Sequence, residues 1–223
     1  MTTAHLARYI DHTLLRADAS ANDITKLCHE AREFNFWSVC VNPCWISFCR
    51  EQLKGSAVRV CTVIGFPLGA NDSATKAFEA QNAVQNGADE LDMVLNIGFV
   101  KSARWHAVGD DIVAVVKAAG LRPVKVILET SLLSDDEKIK SCQEAMRAGA
   151  AFVKTSTGFS TAGATVEDVR LMKQTVGDHL KVKASGGVRD LASLQKMIAA
   201  GAERIGTSSA TQFLAGQKAD EGY

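Results

Sequence analysis

Three stretches of the chain share one pattern: AVQNGADELDMVLN, AMRAGAAFVKTS and MIAAGAERIGTS. In each, a helix-like run closes on Gly-Ala and an apolar, β-like run begins at once. Gly87, Gly149 and Gly201 fall where the residue beyond a helix end turns left-handed, a conformation that glycine adopts without a steric penalty. A helix that ends on glycine and feeds directly into a strand, several times over, is the building unit of an α/β architecture with parallel strands.

Candidate strands extend the count to eight, at residues 8–14, 37–42, 58–64, 90–95, 124–130, 152–156, 180–184 and 204–206. Between them lie amphipathic stretches that open on residues suited to helix N-termini: Ser20/Asn22, 71–73, 134–136, Thr165 and Asp190. Eight such units in 223 residues, with only three prolines and no linker-like segment, fit one compact (β/α)₈ TIM barrel over residues 1–223. The polar end, residues 215–223, reads as a mobile C-terminal tail. A doubly wound open sheet is the alternative, with its ligand at a switch point rather than inside a ring of strand ends. Neither G-x-G-x-x-G nor G-x-x-x-x-G-K-[ST] occurs, which weakens a nucleotide-binding reading.

Lys+Arg and Asp+Glu number 25 each, so no basic surplus points to nucleic acid or to an anionic membrane. The start, MTTAHLARYIDHTLL, lacks the pattern of a secretory signal, and a cytoplasmic enzyme is expected. Four of the six cysteines fall between Cys40 and Cys61, but without C-x-x-C pairing or a histidine among them. They read as reduced thiols, with no metal.

A barrel strand alternates its side chains between the interior and the helix layer. On the sixth candidate strand Phe152, Lys154 and Ser156 share a face; on the seventh Lys181, Lys183 and Ser185 do; on the fourth, Glu90, Asp92, Val94 and Asn96. Asp11 and Cys40 are the matching positions on the first two. If these faces point inward, Lys154 and Lys183 come from neighbouring strands and Asp92 approaches from across the barrel. A lysine with its ordinary pKa of about 10.4 is neutral in roughly one molecule in 2,500 at pH 7. A second ammonium in a poorly solvated pocket disfavours the charged form, and bringing that pKa to about 7 is a change of roughly 4–5 kcal/mol. Two lysines and a carboxylate to move protons therefore suit a Schiff-base catalyst. The same three charges also suit a purely structural ion network, and spacing alone leaves both open.

Two loops add to the catalytic reading. KASGGVRD places Gly186 and Gly187 after the seventh strand, and IGTSSATQF places Gly206, Ser208 and Ser209 after the eighth. Glycine lets backbone N–H groups approach an anion, and phosphate commonly sits on these two loops in such barrels. Arg189 can add a charge-assisted contact.

VIGFPLGA, GADELDMVLNIG, KVILET, FVKTSTGF and VKASGGVRD occur in one order along nearly the whole chain, which resembles the deoxyribose-phosphate aldolases. The resemblance implies a (β/α)₈ enzyme without metal or organic cofactor, acting on a phosphorylated sugar and acetaldehyde, and a homo-oligomer is the expected assembly. It implies reversible cleavage of 2-deoxy-D-ribose 5-phosphate to D-glyceraldehyde 3-phosphate and acetaldehyde. Lys154 would form the imine, Lys183 would depress its pKa, and Asp92 would relay protons. Phosphate would lie on Gly158, Gly186, Gly187, Gly206, Ser208 and Ser209. Some members carry a lysine just after KTSTG; here that position is Phe159, which puts the strength of phosphate recognition in question and gives Arg189 more weight.

Two rivals stay open: a barrel isomerase or synthase that uses the same phosphate loops without an imine, and a non-catalytic sugar-phosphate binder. Two further residues carry expectations. Strand parity puts the Cys40 thiol toward the barrel mouth, within reach of an electrophilic aldehyde. The terminal Tyr223 is expected to fold over bound substrate and assist proton transfer at the enamine carbon.

Overall fold

The computed structural model describes residues 2–215. Eight parallel strands close into a barrel in chain order. They are β1 (Ile10–Leu14), β2 (Ser38–Val41), β3 (Arg59–Ile64), β4 (Glu90–Val94), β5 (Val124–Ile127), β6 (Phe152–Lys154), β7 (Lys181–Ser185) and β8 (Arg204–Thr207). Helices follow the strands on the outside: α2 (Ala21–Glu33), α3 (Ile46–Gln52), α4 (Ser73–Gln85), α6 (Trp105–Ala119), α7 (Asp135–Arg147), α8 (Val166–Val176), α9 (Leu191–Ala199) and α10 (Ala210–Leu214). Two five-residue helices, α1 (Thr3–Ala7) and α5 (Ile97–Lys101), precede β1 and α6. The open-sheet alternative is thereby set aside.

All eight candidate strands form, each trimmed or shifted by a few residues at its ends. The helix starts fall where the sequence signals them. Ser20 and Ser134 close capping boxes with Asp23 and Glu137, and the side chains of Asp72, Thr165 and Asp190 cap α4, α8 and α9. Each cap accepts a hydrogen bond from an N–H that the helix itself cannot satisfy. Gly87, Gly149 and Gly201 stand one residue past the C-caps Asn86, Ala148 and Ala200, with φ of 102°, 79° and 112°. The recurring Gly-Ala is thus the hinge that turns each helix back into the barrel.

The barrel wall divides two unlike interiors. Outward residues such as Val39, Val60, Leu91, Met93, Val126, Val153, Val182 and Ile205 pack beneath the helices in one large apolar core. Inside the ring Leu15, Cys40, Cys61 and Val63 make a separate apolar patch, backed by Phe66. Other inward positions carry charges: Asp11, Glu90, Asp92, Lys125, Lys154, Lys183 and Arg204 stand where barrels usually hold branched apolar side chains.

Candidate active site

Strand register assembles the charges. Lys154 pairs with Lys183 across β6 and β7, and Asp92 pairs with Lys125 across β4 and β5. Lys154 Nζ donates to Asp92 Oδ2 at 2.8 Å, and Lys183 Nζ donates to the same oxygen at 2.7 Å. Lys183 also donates to Asp11 Oδ2 at 2.6 Å. Three residues anticipated as one site therefore meet at a single carboxylate oxygen.

The network extends further than the sequence reading. Lys125 Nζ lies 2.7 Å from both Asp92 Oδ1 and Glu90 Oε2, and 3.3 Å from Cys61 Sγ. Arg204 Nη1 donates to Asp11 Oδ1 and Glu90 Oε2, each at 2.8 Å, and Ser38 Oγ donates to Asp11 Oδ1 at 2.7 Å. Four cations (Lys125, Lys154, Lys183, Arg204) thus face three carboxylates (Asp11, Glu90, Asp92) in one buried cluster. Parity along KVILET places Lys125 on the inward face of its strand, so its position was legible there although no role was drawn from it.

Burial alone would push these carboxyls up. For Asp92 it is overcome by Lys125, Lys154 and Lys183, which hold the group well below the usual carboxylate range. Asp11 is lowered in the same way by Arg204, Lys183 and Lys125. Burial opposes the Lys183 ammonium, yet Asp11 and Asp92 carry it above the ordinary lysine range. Lys183 is consequently a fixed positive charge at neutral pH. Two groupings, Cys40/Cys61/Asp92 and Asp11/Cys61/Glu90, bring potential metal ligands together. The Lys125 ammonium already stands among Cys61, Glu90 and Asp92, so this donor set is served by a side-chain cation.

Above the charges opens a cleft of about 550 Å³. Lys154 lies on its floor, and Gly158, Gly186, Gly187, Arg189, Gly206, Ser208 and Ser209 all line it. Gly158, Gly186 and Gly187 hold φ of 86°, 81° and 77°, so the loops after β6 and β7 expose backbone that a Cβ-bearing residue would strain. Gly206 has a second reason to be small: a Cβ there would stand 3.1 Å from Lys183 Cε. The N-terminus of α9 is already occupied by the Asp190 side chain, which accepts from Ser193 N–H at 2.6 Å.

Cys40 is 0% exposed inside the ring and is not among the residues that line the cleft. The Cys61 thiol beside it pulls the Cys40 thiol below its usual value. Tyr223 lies outside the described residues, as does all but the first residue of the expected tail. Phe159 is half exposed and meets Phe66 edge-on, centroids 5.3 Å apart. A feature absent from the sequence reading is Glu129, buried at the end of β5 with a left-handed φ of 57°. It accepts from the N–H and hydroxyl of Thr157 and so braces the loop that carries Gly158. Burial pushes its carboxyl up.

Residues 5–217 match the model of the DeoC/LacD family aldolases. A deoxyribose-phosphate aldolase of Carboxydothermus hydrogenoformans is 58% identical, with all of both chains covered. One from Streptococcus equi subsp. zooepidemicus is 56% identical over 98% of this chain and all of that relative. Among solved structures, the tetrameric deoxyribose-phosphate aldolase of Aeropyrum pernix superposes with a TM-score of 0.90 at 35% identity, covering 96% of this chain and 91% of that one.

Proposed function

The chain belongs to the DeoC/LacD family of aldolases, and from that premise we infer that it cleaves 2-deoxy-D-ribose 5-phosphate reversibly to D-glyceraldehyde 3-phosphate and acetaldehyde. It is a lyase that works through a lysine imine. The observation that carries the residue assignment is that Lys154, alone among the four barrel cations, lines the open cleft while sharing Asp92 Oδ2 with Lys183.

With every group ionised the cluster holds one positive charge too many. Losing the Lys154 proton leaves three cations opposite three carboxylates. The attacking form is the neutral amine, whose proton has an acceptor in Asp92 Oδ2 at 2.8 Å. The amine attacks the substrate's C1 carbonyl carbon, and loss of water from the adduct gives the iminium. Removal of the C3 hydroxyl proton then lets the C2–C3 bond break. Its electron pair passes into the iminium to form an enamine, and C3 leaves as the aldehyde of glyceraldehyde 3-phosphate. Protonation of enamine C2 and hydrolysis return acetaldehyde and the free amine. Asp92, already bonded to Lys154 Nζ, is the group to relay these protons, and Lys183 holds a second ammonium on the same carboxylate oxygen. The substrate phosphate lies on Gly158, Gly186, Gly187, Gly206, Ser208 and Ser209 with Arg189 beside it.

Among the described residues no helix is long and apolar enough to cross a membrane. A homo-oligomer is the expected assembly, since the Aeropyrum relative is tetrameric. The deciding test is trapping. Borohydride added with acetaldehyde reduces the imine and leaves an ethyl group on Lys154, found by peptide mass mapping. A label on another residue, or none, removes the assignment.

A further inference from the structure

The opposite end of the barrel carries a second pocket that the aldolase reaction does not use. It encloses about 830 Å³, and Trp37, Arg59, Leu121, Arg122, Lys181 and Arg204 are among its walls. A neighbouring depression shares Trp37, Lys181 and Arg204 and adds Arg8. Every one of these residues begins a strand or precedes one, so the pocket opens at the N-terminal face, away from Lys154.

Its charges are unbalanced. The carboxylates that border it are already engaged. Asp89 takes Arg50 at 2.9 Å and Arg122 at 3.6 Å, Glu203 takes Lys173 at 3.1 Å, and Glu90 takes Lys125 and Arg204 at 2.7 and 2.8 Å. Arg8 donates only to uncharged oxygens, those of Asn35 and Phe36. Arg59 comes no closer than 3.9 Å to the occupied Glu90. Lys181 makes no ion pair among the described residues and stands 5.8 Å from the Phe152 ring centroid. Three guanidinium carbons, of Arg59, Arg204 and Arg8, crowd the Trp37 ring at 4.0, 4.4 and 5.0 Å. Burial, then repulsion from Arg59 and Arg204, pulls Arg8 below its ordinary value. A guanidinium resting on an aromatic face keeps its N–H edge available, and that edge matches phosphate oxygens in pairs.

We propose that this pocket is a second anion site, which takes a compact ligand carrying two or more phosphates. One phosphate cannot engage Arg8, Arg59 and Lys181 together as readily as a diphosphate, whose charges are spread over adjoining groups. The bound anion relieves the mutual repulsion of cations that the fold has brought around one indole.

Titration calorimetry with inorganic pyrophosphate tests the site in the full chain. Wild type, Arg59→Gln/Lys181→Gln and Ser208→Asp are compared, the last placing a carboxylate in the upper cleft. Pyrophosphate should bind the double variant at least tenfold more weakly, while Ser208→Asp keeps the wild-type affinity of the lower site. The double variant's kcat/KM for deoxyribose 5-phosphate should stay within twofold of wild type. Unchanged affinity in the double variant, or binding lost altogether in Ser208→Asp, overturns the proposal. Leu121→Asp, at a fully exposed rim position, supplies the same test if the double variant folds poorly. Inorganic phosphate should bind at least tenfold more weakly than pyrophosphate, and equal binding also overturns the proposal. A nucleoside diphosphate that equals pyrophosphate identifies the phosphates as the whole recognition element; one that binds more tightly identifies a base on the aromatic wall.

Discussion

Two buried lysines in this molecule differ in what they can do. Lys76, on α4, donates to Asp111 Oδ2 at 2.6 Å and to the Val94 carbonyl at 3.0 Å. Ser73 Oγ completes the pair by donating to Asp111 Oδ1 at 2.8 Å. Lys154 donates to one carboxylate oxygen that Lys183 also uses, on the floor of an open cleft. Burial outweighs Asp111 and lowers the Lys76 pKa, so a depressed pKa by itself does not mark a nucleophile. Lys76 is sealed between helices, where no aldehyde reaches it. What distinguishes Lys154 is access to the cleft and membership of a cluster with one cation in surplus.

The largest expected effect separates the two lysines by activity. Lys154→Arg should abolish turnover and borohydride trapping, because a guanidinium stays protonated and cannot attack a carbonyl. Lys76→Met should keep the kcat of the folded enzyme near wild type. Loss of kcat in folded Lys76→Met would mean that the helix-layer pair reaches the chemistry after all.

Next in size is Lys183→Leu, which removes a cation without touching the nucleophile. The rate near neutrality should fall by about 10²-fold or more, with partial recovery as the pH is raised. A pH–rate profile parallel to wild type would mean that Lys183 does not tune the amine.

The helix-layer pair should show its value in stability. Lys76→Met strands the Asp111 carboxylate without its cation and should cost about 3–5 kcal/mol in urea unfolding. Lys76→Met/Asp111→Leu removes both charges and should recover most of that loss. A double variant as unstable as the single would show that the packing of Lys76, rather than its charge, is what the helices need. The barrel cluster adds a pH dependence. Asp11, Glu90 and Asp92 all lie below their ordinary values in the fold, so the stability they contribute is whole above about pH 4 and drains as the pH falls further. Urea midpoints between pH 7 and pH 3 measure it, and an equal slope in an Asp11→Asn variant would assign the acid lability elsewhere.

The sequence made the frame legible because local rules governed it. Ser20, Ser134 and Asp190 had to cap something, and Gly87, Gly149 and Gly201 had to turn. Strand parity then brought Lys154, Lys183 and Asp92 to one point, since a period of two survives small errors at strand ends. Lys125, Glu90 and Arg204 were less legible: Lys125 meets Glu90 from the neighbouring strand and Arg204 reaches it across the barrel, and both contacts depend on side-chain length and closure rather than on spacing. Cys40 had the inward face, but parity says nothing of exposure, and the thiol is fully buried and outside the cleft lining. Lys76 left a quieter signal: with Ala80 and Ala83 it occupies a buried helical stripe, and Asp111 sits likewise between Val108 and Ile112. Opposite charges in the apolar stripes of two helices mark an interhelical pair, and only the fold shows that α4 and α6 are neighbours.

The smallest expected effect concerns Glu129, a buried charge of a third kind. Lys76 has a dedicated counter-ion and Lys154 shares one, whereas Glu129 is bonded by the neutral donors of Thr157. Its raised carboxyl pKa means that the fold prefers the protonated form, so the cost of ionising it in place appears as the pH rises through the folded value. Glutamine keeps an oxygen to accept the Thr157 N–H and carries no charge. Glu129→Gln should therefore change stability at pH 7 by no more than about 1 kcal/mol, toward greater stability, and the advantage should vanish near pH 4 as the wild-type carboxyl takes up its proton. Urea unfolding at the two pH values reads both numbers. A loss of about 2 kcal/mol or more at pH 7 would show that Glu129 is needed as an anion. The nearby Lys154 would then be its counter-charge, and the cluster would hold four carboxylates against four cations. In that case the charges around Lys154 would balance, and its place on the cleft floor would be what sets it apart from Lys76.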